Sequence, residues 1–142
     1  MKKILIISAS YYPKISEKLK KSATDVISEN CTIIDVPGIF EIPVVISKNI
    51  NNFDGFVALG CVIKGQTPHF ELISKSTIEA LMNLSIEHKK PIGNGIITCL
   101  NNKQALERSD TNKKNKGREA AKAVLSVLGI FIDETEWNIT KP

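Results

Sequence analysis

Aromatic residues are scarce in this sequence, with five Phe, two Tyr and one Trp among 142 residues. The scarcity matters because the chain is basic, with 19 Lys and Arg against 15 Asp and Glu. A single-strand nucleic-acid platform interleaves its cations with stacking rings, and none are interleaved here. The cations are also dispersed: Lys2, Lys3, Lys14, Lys18, Lys20 and Lys21 near one end, and a second group from Arg108 to Arg118. A solvated basic surface with one anion site is the better reading, and no nucleic-acid partner is expected. Cysteine is sparse too. Cys31, Cys61 and Cys99 are odd in number, widely spaced and embedded in apolar strand-like runs. That is the pattern of small buried hydrophobes, not of a disulfide frame. With only two histidines and no Cys/His pair at metal-ligand spacing, no metal is expected.

Long apolar runs are missing as well. None approaches the ~20 residues that span a bilayer. The opening Met1-Lys2-Lys3-Ile4-Leu5-Ile6-Ile7 has the charged start of a signal peptide. Its apolar stretch halts at Ser10-Tyr11-Tyr12-Pro13, with no small-residue cleavage site, so it reads as a first strand. No membrane partner is expected, and the cytoplasm is the expected compartment. Neither Gly-x-Gly-x-x-Gly nor a Walker-type lysine loop occurs, so the common nucleotide folds find no support. Internal repeats and low-complexity segments are also lacking.

What is present is an ordinary globular composition, 42% hydrophobic and 24% charged, without any shift that would divide the chain. One domain over residues 1–142 is expected, large enough to bury roughly two thirds of its unfolded surface. Ile4 to Ala9 is a continuous apolar run, the mark of a strand buried on both faces. Ile15 to Ser28 has helical spacing at Ile15, Leu19, Ala23, Val26 and Ile27, with Ser16 as the candidate N-cap. Thr32 to Val36 predicts a second strand. Glu41 to Ile50 predicts a helix that tolerates Pro43 in its first turn. Gly55 to Ile63 predicts a third strand, and His69 to His88 a long helix with core positions Leu72, Ile73, Ile78, Leu81, Met82 and Ile86. Asn94 to Leu100 predicts a fourth strand, Asn102 to Ser109 a short helix, and Lys116 to Ile132 a last one with Ala120, Ala121, Val124, Leu125 and Leu128 inward. Alternating strands and helices imply a parallel sheet covered on both faces. Ligands in such sheets sit beyond the carboxyl ends of the strands, which directs attention to Ser10–Lys14, Pro37–Glu41, Cys61–His69 and Leu100–Asn102.

Three stretches there carry chemistry. In Gly60-Cys61-Val62-Ile63-Lys64-Gly65-Gln66-Thr67-Pro68-His69-Phe70, a buried strand runs through a Gly-containing loop into a helix start. Backbone N–H groups and the positive helix end form an anion site, and an imidazole beside it can move protons near neutral pH. The plainer reading is a loop with a capping histidine. His88, next to Lys89 and Lys90 at the other end of the helix, complements the dipole. In Val36-Pro37-Gly38-Ile39-Phe40-Glu41-Ile42-Pro43, Pro-Gly makes a sharp turn, and Glu41 either accepts ligand hydroxyls or caps the helix. Between Arg108 and Glu119, the charges are either a solvated linker or the source of one bidentate phosphate contact.

In order and spacing, these three stretches together, the last ending Asn115-Lys116-Gly117-Arg118-Glu119-Ala120-Ala121, resemble the lumazine synthase family across nearly the whole chain. The resemblance implies a flavodoxin-like three-layer α/β/α sandwich on a parallel four-stranded sheet. It implies a transferase of riboflavin biosynthesis. That enzyme condenses 5-amino-6-(D-ribitylamino)uracil with 3,4-dihydroxy-2-butanone 4-phosphate to 6,7-dimethyl-8-ribityllumazine, releasing phosphate and water. Small-molecule substrates are implied, and no metal or organic cofactor.

Residue by residue, the resemblance casts His69 as the proton-transfer group. Tyr11 falls where the family usually stacks a Phe on the uracil ring. Ile39, Phe40 and Glu41 match the ribityl-binding positions, and Cys61, Val62 and Ile63 those that meet the uracil edge through their backbone. Gln66 and Thr67 match the keto-phosphate loop, Arg108 the phosphate-binding arginine, and Lys116 and Glu119 further charged positions. Asn94 stands where an aromatic commonly closes over the uracil, a departure that loosens stacking by about 1–3 kcal/mol. Lys64 replaces a frequent Arg. The resemblance also implies a homo-oligomer, a homopentamer or a multiple of pentamers with sites between adjacent subunits. The linker Ser109 to Asn115 lacks the Gly-rich turn of shell-forming members, which favours a pentamer or a pair of pentamers. The competing class is a non-catalytic flavin- or lumazine-binding shell or carrier of the same fold. His69, Arg108 and Glu41 speak against it, since binding alone needs no proton donor.

Overall fold

The structure, a computed structural model, describes residues 2–28 and 31–129. Strands β1 (Ile4–Ala9), β2 (Cys31–Val36), β3 (Gly55–Ile63) and β4 (Ile92–Cys99) form one four-stranded sheet in the order β2-β1-β3-β4. All neighbouring pairs are parallel. Helices α1 (Pro13–Ile27), α2 (Ile42–Lys48), α3 (His69–His88), α4 (Asn102–Ser109) and α5 (Lys116–Val127) make the crossovers, with a 3-10 turn at Ile39–Glu41 before α2.

Side chains alternate across the sheet, and each face has its own core. On one face Ile4, Ile6, Val57, Leu59 and Ile97 pack against Leu19 and Ala23 of α1, Ala105 of α4, and Ala121 and Val124 of α5. On the other, Leu5, Ile7, Phe56, Ala58 and Ile96 meet Ile42 and Ile46 of α2 and Leu81 of α3. The result is the expected α/β/α sandwich. A fully buried Leu or Ile contributes about 1.5–3 kcal/mol, so the continuous run of β1 anchors both layers. Gly93 lets α5 lie close on β4, because a Cβ there would collide with the Ala120 carbonyl.

Several local expectations are corrected. Helix α1 starts three residues before Ser16, with Pro13 in its first turn and Tyr12 as N-cap. Ser16 lies inside the helix, where its hydroxyl donates back to the carbonyls of Tyr12 (3.1 Å) and Pro13 (3.3 Å). Helix α2 is shorter than predicted because Ile39–Glu41 forms its own tight turn and Asn49 closes the far end, its side-chain amide donating to Val45 O at 2.8 Å. Strand β4 begins at Ile92 because Phe56 pairs with it in register. Helix α5 ends at Val127, and Gly129 (φ +79°) adopts the left-handed turn that stops it. The predicted continuation past residue 129 to Ile132 lies outside the described residues.

The largest correction concerns α3. Leu81 is buried, but Leu72, Met82 and Ile86 are 64%, 57% and 67% exposed. The reason is angular. At about 100° per residue, Leu72, Met82 and Ile86 fall within an arc of about 80°, roughly opposite the arc of Thr77 and Leu81. One set faces the sheet and the other faces away from it. An apolar stripe on each side gives the helix a second face suited to covering.

Candidate active site

The strand order reverses between β1 and β3: the chain leaves β1 toward β2 on one side, while β3 lies on the other. The loops after β1 and β3 therefore diverge to opposite faces and open a crevice at the carboxyl ends. The sequence builds its walls. The last β1–β3 pair is Ser8 with Leu59, yet β3 runs on to Ile63, held only by β4 through Val62–Thr98 and Ile63–Cys99. Cys61, Val62 and Ile63 thus present a strand edge with no strand opposite, and backbone groups there are open to a planar ligand. Gly60 has its own purpose: a Cβ would meet the Ile39 side chain at 2.6 Å, so only Gly allows the 3-10 turn to lie over β3.

The crevice has a volume of about 570 Å³ and is lined by Tyr11, Ile39, Phe40, Cys61, Val62, Ile63, Thr67 and His69, all expected from the sequence. Tyr12, Gly38, Gly65, Phe70 and Ile73 complete it. Sequence reasoning missed Tyr12; the available signal was a second ring beside Tyr11, immediately before the helix-starting Pro13. Tyr11 is 71% and Phe40 66% exposed, so two large apolar surfaces border an open space. His69 is the first residue of α3, and its N–H donates to Thr67 Oγ1 at 3.4 Å. The N–H groups of Glu71 and Leu72 return to Pro68 O at 3.1 and 3.2 Å, which leaves the Phe70 N–H and the positive helix end to meet an anion.

Burial tunes the floor. The Cys61 thiol is pushed up to about 12, first by burial and then by the neighbouring Cys99 thiol, with which it is hydrogen-bonded. It stays protonated at neutral pH and is no nucleophile. Tyr12 is raised above the usual phenol value, chiefly by burial, with Cys61 and Tyr11 adding to it. The floor is therefore neutral, which suits an uncharged heterocycle.

Other expected residues are not brought to this crevice. Glu41 accepts the Gly38 N–H on Oε1 at 3.0 Å, so it caps its own turn just behind Phe40. Gln66 sits with Lys64, Thr67 and Glu71 in a smaller depression of about 180 Å³ against the same loop. Asn94 lies on β4 in register with Ala58, exposed, its Oδ1 accepting the Ile96 N–H at 3.1 Å. Arg108 is fastened to the end of β4, Nη1 donating to Thr98 O at 2.7 Å and reaching Cys99 Sγ at 3.7 Å. Lys116 pairs with Glu119 at 3.1 Å. Among the described residues no group of three or more His, Cys, Asp or Glu clusters as metal ligands do, and no helix is long and apolar enough to cross a membrane.

A parallel α/β sandwich with an aromatic-walled crevice at its switch point and an imidazole at a helix N-terminus defines a protein that works on small planar, anion-bearing molecules. Comparison with known proteins makes this specific. The chain belongs to the 6,7-dimethyl-8-ribityllumazine synthase family, whose model matches residues 1–131. It is 42% identical over 133 residues to the 6,7-dimethyl-8-ribityllumazine synthase of Bartonella tribocorum, covering 89% of this chain and 88% of that protein. The Zymomonas mobilis protein of the same name is 40% identical over 135 residues, covering 92% of this chain and 96% of the relative. The Methylobacterium radiotolerans protein, again of that name, is 39% identical over 133 residues.

Proposed function

We propose that this chain is a transferase of riboflavin biosynthesis that condenses 5-amino-6-(D-ribitylamino)uracil with 3,4-dihydroxy-2-butanone 4-phosphate to 6,7-dimethyl-8-ribityllumazine, with release of phosphate and water. The observation that carries the reading is the convergence in one crevice of a stacking wall, an open strand edge and His69 at a helix N-terminus. The uracil stacks on Tyr11 and bonds the backbone of Cys61, Val62 and Ile63. The ribityl chain runs along Ile39 and Phe40 toward the carboxylate of Glu41. The keto-phosphate occupies the Gln66–Thr67 loop, its charge met by the start of α3. The uracil's 5-amine attacks the ketone carbon and loss of water gives the imine; phosphate then leaves by elimination, and the ribityl-bearing nitrogen closes the ring on the remaining carbonyl with loss of a second water. Orientation supplies most of the rate, on the scale of about 7–11 kcal/mol for well-placed partners. His69 carries protons between amine, carbonyl and leaving group, adding roughly two to four decades.

The site is completed by a neighbour. Arg108, Lys116 and Asn94 lie away from their own crevice, and α3 turns Leu72, Met82 and Ile86 outward. Both facts fit a cytoplasmic homo-oligomer, a pentamer or a pair of pentamers. In it an adjacent copy brings Arg108 and Lys116 to the phosphate and Asn94 to the uracil. The test is incubation of the purified protein with both substrates, with and without a chelator, while lumazine absorbance and fluorescence are followed. Product is expected in both. No product overturns the reading, and activity lost to the chelator and restored only by a metal overturns its cofactor-free form.

A further inference from the structure

Tyr12 has no assigned role, yet it is the better-fixed half of an aromatic pair that lines the crevice. Its ring stands edge-on to Tyr11, centroids 5.0 Å apart and planes at 77°. Tyr11 is 71% exposed and has little else to hold it. Tyr12, by contrast, is half-buried against the core that contains Leu19, Cys61 and Cys99. Its backbone is pinned as well: the carbonyl accepts the N–H groups of Ile15 (3.1 Å) and Ser16 (2.9 Å) and the Ser16 hydroxyl (3.1 Å). Pro13 follows and keeps Tyr12 out of the helical region, and it is found at φ −113°, ψ 88°. Its hydroxyl makes no hydrogen bond to a described residue, so the ring is the part of the side chain the fold employs.

An exposed ring that is free to rotate loses rotamer entropy when a ligand stacks on it. A ring already braced edge-to-face against a fixed neighbour loses less. We propose that Tyr12 is a positioning residue that braces Tyr11 for stacking on the heterocyclic substrate, so that it sets affinity for that substrate without touching the keto-phosphate. This rests on the reading that Tyr11 stacks on the ribitylaminouracil.

The experiment is a double-mutant cycle on the full chain: wild type, Tyr11→Ala, Tyr12→Leu, the double variant, and Tyr12→Phe as the conservative replacement. Each is assayed with either substrate varied, and each is titrated with 6,7-dimethyl-8-ribityllumazine by fluorescence. Tyr12→Leu should raise KM for the ribitylaminouracil and Kd for the lumazine about two- to tenfold, the range of one edge-to-face pair. KM for the keto-phosphate should stay within twofold. Tyr12→Phe should recover the wild-type values, and the double variant should be no worse than Tyr11→Ala alone. Additive losses, equal rises in both KM values, or a Tyr12→Phe as impaired as Tyr12→Leu would each overturn the proposal. The stacking reading fails separately, through a Tyr11→Ala that binds lumazine as tightly as wild type. The reaction assignment fails separately again, through a wild type that forms no lumazine. Tyr12→Leu keeps an apolar filler against the core; should it still unfold, Tyr12→Met carries the same comparison.

Discussion

Replacing Ile86 by Lys should take the proposed oligomer apart while leaving the subunit folded. In the chain itself Ile86 is 67% exposed, and Met82, one turn earlier on the same stripe, 57%. Full burial of such a side chain is worth about 1.5–3 kcal/mol. The isolated subunit therefore realises only about a third of that at Ile86, and the lysine stem recovers part of it along the helix surface. The cost to subunit stability should stay below about 1 kcal/mol. Covered by a neighbour, the same position gains the other two thirds, about 1–2 kcal/mol, and a lysine there adds an unpaired charge to the interface. Together these should raise the subunit dissociation constant at least about tenfold to a hundredfold, since each 1.4 kcal/mol is a factor of ten. Sedimentation velocity across a concentration series reads the assembly, a circular-dichroism melt reads the fold, and lumazine formation reads the site. The expected triad is smaller species, a melting temperature within a few degrees of wild type, and lost activity at low protein concentration. An Ile86→Lys protein that sediments like wild type would refute the double-covering argument for α3. So would a fully active wild-type species near the 15.7 kDa chain mass.

Two further outcomes follow from the site. His69→Ala should lower kcat ten- to a thousandfold with little change in keto-phosphate KM, whereas Arg108→Ala should raise that KM about ten- to a hundredfold, the 1.5–3 kcal/mol of a charged hydrogen bond; steady-state kinetics with each substrate varied separates the roles, and a reversed pattern contradicts them. Because the folded Cys61 thiol titrates near 12 against an ordinary value of 9.0, its contribution to stability is complete below pH 9 and is lost as pH rises through about 12; Cys61→Ala should therefore flatten the alkaline decline of the melting temperature, and an unchanged slope would contradict the buried, protonated thiol.

Much of this architecture was legible because parallel sheets write a plain pattern. A run such as Ile4–Ala9, apolar at every position, has few interpretations other than a strand covered on both faces, and the boundaries of β3, α3 and α4 match the expected ones. The misplaced boundary at α1 has a local cause. Ser16 satisfies the rule for an N-cap, but Pro13 satisfies the rule for a first helical residue, and the rigid φ of proline won over a replaceable hydroxyl. The crevice was legible for a different reason. The eight expected lining residues fall at or just beyond strand ends, and the switch-point rule names those segments before any coordinate is known.

What resisted reading is whatever depends on a second surface. Six apolar residues on α3 were all expected inward, although their spacing already forbids a single face: Ile73 and Leu81 lie on one side, Leu72 and Ile86 on the other. Periodicity reports that a helix has two apolar stripes, but not which of them the subunit's own sheet covers. The same limit applies to Arg108 and Asn94. The resemblance casts Arg108 as a phosphate contact and puts Asn94 where an aromatic commonly closes over the uracil, yet within one copy Arg108 bonds the carbonyl of Thr98 and Asn94 the amide of Ile96. A single local hydrogen bond nets only about 0.5–1.5 kcal/mol, so neither contact argues against the proposed roles. The outward stripe of α3 and the placement of Arg108 outside its own crevice both fit the proposed neighbouring copy of this chain. One substitution on α3, far from any substrate, should therefore disable a site whose stacking wall and histidine remain in place.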